Sequence, residues 1–260
     1  MLKPLALLFS LTVGTAAFAG DLRTPLADPM QSGMWTYHQK ELLGDPERIG
    51  FDARVIVSAP DNAEDTVNVP LLVDATQLDD VEEILIFADY GPIPHILTYY
   101  PGSAEPKIAL RFKIDQATAI RASVRTSDGA WHVGSTYVDA AGGGCTAASH
   151  AYASDDWEQK LGNIHGKVWA DSGRARLIVD HPMDTGLADG IPVFIIQSLD
   201  ISDVEGAQLA RLELHEPVNE DPAFTLYFPP ASTPDALRIS GRDNNGNVID
   251  GLITVAGYNG

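Results

Sequence analysis

Short apolar runs rich in β-branched and aromatic residues recur along most of the chain, separated by turn residues. In the first half these are "ARVIVSAP", "VNVPLLVD", "VEEILIFAD", "KIALRFKI", "AIRASVRT" and "WHVGSTYV". In the second half "RARLIVDHP", "IPVFIIQSL", "AQLARLELHEP", "AFTLYFPP", "ALRISGRD" and "NVIDGLITVAG" repeat the style. The breaks "APDN", "SDG", "DSG" and "DNNGN" supply turn chemistry between them. Six or seven short strands in about 100 residues, twice over, predict an all-β protein of two immunoglobulin-like β-sandwich domains in tandem. The one good helical stretch is "GMWTYHQKELLGD", where Trp35 or Tyr37 with Leu42 and Leu43 would form one apolar face.

The opening "MLKPLALLFSLTVGTAAFAG" breaks this pattern. Lys3 gives a charged start, Leu5 to Val13 an apolar run, and Ala17-Phe18-Ala19 a small-residue cleavage site, so cleavage is expected before Gly20. The run is far shorter than the roughly 20 residues a membrane span requires, and no later segment is long and apolar enough either. The chain therefore divides into a signal peptide over 1–19, a first sandwich with an N-terminal extension over 20–141, a Gly-rich arm and linker over 142–162, and a second sandwich over 163–260. The expected location is periplasmic, with no membrane association.

Charge narrows the partners. A formal charge of −19 over 260 residues argues against nucleic acid, whose binders cluster Lys and Arg against phosphates. Such a field steers cationic partners towards the surface instead.

The sole cysteine, Cys145, follows Gly142, Gly143 and Gly144 in "DAAGGGCTAASHAYASDD". In an oxidising compartment cysteines normally pair, so a single one implies an intermolecular bond or a reactive free thiol, in a monomer or a Cys145-linked dimer. An unperturbed thiol supplies only a few per cent of thiolate near neutral pH. His150 is the only nearby residue in sequence that could alter this, which predicts an accessible but quiet thiol on a pliable arm.

Other chemistry is sparse. His38, His95, His132, His150, His165, His181 and His215 include no pair at metal-ligand spacing. Cys145 with His150 remains an alternative soft-metal pair, and His181 fits a structural role at the end of a strand. "DNNGNVIDG" has its glycine in the wrong place for a calcium loop, so Asn245-Gly246 is expected to form a type I′ hairpin turn. "GxSxG", phosphate-loop and dinucleotide fingerprints are absent. No metal site, cofactor or enzymatic activity is expected.

The segments "SAPDNAEDTVNVPLLVDA", "VEEILIFADYGPIPHILTYYPG" and "DAAGGGCTA" resemble the Y subunit of the sulfur-oxidation (Sox) carrier. The segments "RARLIVDHPMDTG", "IPVFIIQSLDI", "EPVNEDPAFTLYF" and "RDNNGN" resemble its Z subunit. Their order is similar to that of fused SoxYZ-like carriers associated with quinoprotein dehydrogenases. The resemblance implies that Cys145 is a covalent attachment residue for sulfur intermediates, such as a thiosulfate adduct. Gly142, Gly143 and Gly144 would be its hinge, and separate periplasmic redox enzymes, including c-type cytochromes, would perform the chemistry. Unlike the family's arm, this one continues into Thr146-Ala147-Ala148, and from Ala141 to Cys145 it reaches at most ~14 Å. A non-covalent interaction or assembly partner of a quinoprotein dehydrogenase or its cytochrome, with the cysteine unloaded, therefore stands as the alternative.

Overall fold

Alternating burial along the strands builds two sheets with a common core. The structure is a computed structural model that describes residues 27–256; the expected signal segment and its cleavage site lie outside the described residues. The larger sheet runs, edge to edge, Ile49–Phe51, Trp131–Ala140, Thr118–Thr126, Val81–Ala88, His95–Tyr100, Gln208–Leu214, Ile196–Ser202, Ala236–Asp243 and Val248–Thr254, with Asn62–Ala63 also pairing to Trp131–Ala140. The smaller sheet runs Ile164–Trp169, Arg174–Val179, Ala223–Tyr227, Lys107–Phe112, Val69–Asp74 and Ile56–Ser58. Period-2 alternation places Leu71, Val73, Ile108 and Leu110 of one sheet against Ile84, Ile86, Leu97 and Tyr99 of the other, all buried.

Each half is an immunoglobulin-like sandwich, as the strand count predicts, yet the two are not independent bodies. Both sheets continue across the seam. In the larger sheet Leu97 pairs with Leu214 and Tyr99 with Leu212; in the smaller, Ala109 pairs with Thr225 and Ile108 with Leu226. The core accordingly forms one cluster containing residues of both halves, such as Val73, Ile86, Leu199 and Leu226.

The N-terminal extension closes the outer face of the larger sheet. Trp35–Glu41 is helical, and Trp35, Leu42 and Leu43 pack on Leu85, Phe87 and Trp131, whereas Tyr37 points to solvent. Beneath them lies fully buried Arg121. It donates two hydrogen bonds to Asp89, at 2.8 and 2.6 Å, and two to Asp28, both 2.8 Å. The guanidinium lies 4.8 Å from the Trp35 ring centroid and 5.6 Å from that of Phe51. His38 Nε2 donates to the Asp89 carbonyl at 2.8 Å, tying the helix to the same point.

The "DNNGN" turn departs from the type I′ expectation. Gly246 has φ of 88° while Asn245 does not have positive φ, and Gly246 N–H donates to the Asp243 carbonyl. The Asp243 carboxylate accepts the N–H groups of Asn245 and Asn247, so side-chain capture by Asp243 selects a longer loop with one left-handed glycine.

At the seam His95 of the first half stacks on His215 of the second, with centroids 3.7 Å apart. Burial, aided by the neighbouring His215 ring, holds the pKa of His95 down at about 3. Burial likewise holds His181 at about 4, against partial support from Asp243. Between these values and an unfolded value near 6.5 only the unfolded chain takes up the protons, so stability present above about pH 6.5 is lost as pH falls. We expect unfolding free energy to drop by about 1.4 kcal/mol per pH unit for each of the two histidines below that point. Urea unfolding at pH 7 and pH 5 measures the drop, and His95→Gln should flatten it; an unchanged slope in that variant would remove His95 from the cause.

Candidate functional site

Cys145 lies at the seam, where the smaller sheet's strand Lys107–Phe112 runs out into Lys113, Ile114 and Asp115. Gly143 N–H donates to the Asp115 carbonyl at 3.3 Å and Gly144 N–H to the Ile114 carbonyl at 3.1 Å. The glycines permit this approach. A Cβ on Gly144 would stand 2.1 Å from the Thr66 carbonyl oxygen and 2.5 Å from that of Ile114, and one on Gly142 2.5 Å from that of Asp115. A Cβ on Gly143 would meet only the Thr146 hydroxyl oxygen, at an ordinary 4.0 Å.

The expected accessible thiol is corrected here. Cys145 is only 3% exposed, and its S–H donates to the Lys113 carbonyl at 3.8 Å. Gly144 is buried with it, although Ala141, Gly143, Thr146 and Ala148 of the same segment are exposed. The residues expected to swing therefore form a docked turn, with Gly142 and Gly144 needed for close packing. Burial, reinforced by Asp115 and opposed by Lys113, pushes the thiol pKa up to about 11.

The second half latches the arm through residues 181–186, "HPMDTG". Thr185 Oγ1 donates to the Cys145 carbonyl at 2.5 Å. Asp184 accepts the Ser149 N–H at 3.1 Å and the Tyr152 hydroxyl. The Met183 carbonyl accepts Lys113 Nζ from the first half, and Met183 N–H donates to His181 Nδ1 at 3.0 Å. Met183 holds φ of 50°, a left-handed conformation that costs a non-glycine residue about 1 kcal/mol or more. His181, 2% exposed, is structural as expected. His150 does not meet the thiol: its side chain is exposed, and its N–H donates to Glu220 at 2.7 Å.

Lys113, Asp184 and Thr185 escaped sequence reasoning. Lys113 is 6% exposed, and burial lowers its pKa against the pull of Asp184, Cys145 and Glu220. It lines a cleft beside the arm with Asn68, Ser149, Asn219 and Glu220. No group of three or more His, Cys, Asp or Glu side chains among the described residues is arranged to hold a metal.

Residues 39–145 match the family model described as sulfur oxidation protein SoxY, and residues 167–252 match that of sulphur oxidation protein SoxZ. The chain belongs to the SoxYZ-like carriers, with both subunits fused. The SoxY match ends on Cys145 itself. No curated protein matches the chain. The sulfur carrier protein SoxY from Chlorobium limicola f thiosulfatophilum is a structural match at 17% identity and TM-score 0.36, covering 40% of this chain and 96% of that one. The latch is thus a contact between the SoxY half, which carries the arm, and the SoxZ half, which supplies the 181–186 loop. SoxYZ proteins work with separate sulfur-oxidation enzymes, in keeping with a carrier.

Proposed function

We propose that this SoxYZ-like protein is an exported, periplasmic carrier that holds a sulfur-containing intermediate covalently on Cys145 and presents it to partner enzymes, without catalysing turnover. The observation that carries this is the position of the chain's sole cysteine at the end of the SoxY match, on a glycine arm docked against the SoxZ half. Loading with a thiosulfate-like anion joins the Cys145 sulfur to the anion's outer sulfur. One proton leaves the thiol and two electrons pass to an oxidising partner, for which a c-type cytochrome has the right chemistry. Before that step the arm lifts, with Gly142 and Gly143 already at positive φ and able to turn at little steric cost. Thiolate then forms in the partner's environment, because the docked thiol with a pKa of about 11 is almost wholly protonated near neutral pH.

Intact mass of the protein purified from its native host without reductant tests the reading. Wild type should show added mass that a thiol reductant removes, and Cys145→Ser should show none, since a serine hydroxyl forms no sulfur–sulfur bond. Bare polypeptide mass in both, with the serine variant still supporting growth, would overturn it. The closed thiol favours a second reading in that event: a non-covalent assembly partner of a quinoprotein dehydrogenase or its cytochrome, with Cys145 unloaded.

A further inference from the structure

The outward face of the smaller sheet differs from the rest of this acidic molecule. Arg111 from the SoxY half and Lys167, Arg174 and Arg176 from the SoxZ half all stand exposed on it. The register sets them across the sheet: Lys167 opposite Arg176, Arg176 opposite Thr225, and Thr225 opposite Ala109, two residues before Arg111. Between the guanidiniums of Arg111 and Arg176 runs a shallow groove floored by Pro70, Leu72, Ala109 and Ala223.

The chain has 36 acidic residues against 17 basic ones, and cations elsewhere on its described surface, such as Arg48, Arg125 and Arg238, are neutralised by carboxylates within 4 Å. Among the described residues, six exposed cations stand outside the salt bridges, and only Lys40 and Arg242 of the six lie away from this face. The carboxylate on the face, Asp74, is already held by Lys107 at 2.7 Å. Four cations without a carboxylate partner, of which Arg174 lies over the Trp169 ring at 4.2 Å, create in so acidic a chain a local field opposite to the global one, flanking an apolar strip.

We infer that this face docks an acidic protein, one presenting carboxylates around an apolar ridge. A second copy of this chain does not fit: the face against itself sets like charges together, and against the acidic remainder it makes a head-to-tail contact that need not close. Nucleic acid would meet the repulsion of the chain's −19 charge beyond this strip. Arg111 is two residues from Lys113, whose carbonyl meets the thiol, so a protein seated here lies beside the arm. That the docked protein processes the cargo rests on the carrier reading; the docking itself does not.

The experiment places a photo-crosslinking amino acid at Thr225 in a Cys145→Ser chain in the native host, identifies the captured protein by mass spectrometry and purifies it. Calorimetric affinity is then compared for Cys145→Ser and for the same chain with Arg111→Glu, Lys167→Glu and Arg176→Glu. We expect an acidic protein whose binding weakens at least tenfold on charge reversal, less on the matching Gln substitutions, and also weakens with added salt. An unchanged thermal midpoint confirms that the exposed substitutions leave the fold intact, and the Gln set reports if the Glu set does not fold. Capture of nothing, of a second copy, of nucleic acid, or of a protein that binds the reversed chain equally well would overturn the inference. Since serine replaces the thiol throughout, a negative result here leaves the loading experiment untouched, and failure of loading leaves this one standing.

Discussion

DTNB added to the native chain at pH 8 should react with Cys145 about two orders of magnitude more slowly than with the urea-unfolded chain, and Gly144→Ala should abolish most of that protection. With the thiol pKa pushed up to about 11 by burial and Asp115, the thiolate fraction at pH 8 is about one in a thousand. An unfolded thiol near 8.5 has about one in four. Access adds to the difference, since the sulfur is nearly sealed. In Gly144→Ala the new methyl would meet two backbone oxygens, of Thr66 and Ile114, at 2.1 and 2.5 Å. Neither can rotate aside, so the arm lifts and the thiol enters solvent. Stopped-flow absorbance gives both rates; native wild type reacting as fast as the unfolded chain would mean the latch is open in solution.

The second large effect lies on the opposite side of the larger sheet. Arg121→Met keeps the side-chain volume close to that of the original and removes the cation that balances Asp89 and Asp28. Asp89 is then a carboxylate 1% exposed with neither of its guanidinium hydrogen bonds. Breaking a buried pair from one side costs about 3 to 5 kcal/mol, and here two carboxylates lose one shared partner. Arg121→Lys should recover only part of the loss, because an ammonium cannot fork to both. Adding Asp89→Asn to Arg121→Met should recover more, by removing the uncompensated charge. Urea unfolding measures all three; a loss below about 1 kcal/mol in Arg121→Met would show that water reaches the carboxylates.

Most strands were legible because their apolar runs are long and carry the period-2 pattern. Five fell outside those runs, three of them only two or three residues long; the two longer ones were hidden for different reasons. His95–Tyr100 sits in "YGPIPHILTYYPG", where flanking glycines and prolines suggest a loop; the strand is completed by Gln208–Leu214, more than 100 residues away. Ile164–Trp169 contains His165, Gly166 and Lys167, and its glycine is required because a Cβ would stand 2.3 Å from the Arg176 carbonyl oxygen. Cys145 and its glycines stood out in the sequence, but their environment did not. Small residues suit a mobile arm and a tightly docked one equally, and what decides between them is Thr66, Ile114 and Thr185, none of them adjacent in sequence. Lys113 reads as an ordinary strand-end cation until the Met183 carbonyl is seen to receive it.

The strand pairing across the seam also changes what kind of equilibrium holds the halves together. Two separate subunits joined by such edges would part on dilution, their stability following protomer concentration by mass action. Here Thr146 to Gly166, between the two family matches, turns that bimolecular association into an intramolecular one with a fixed effective concentration. Residues 181–186 and the arm they latch therefore stay in register however scarce the protein is, and scarcity alone does not unseat the thiol.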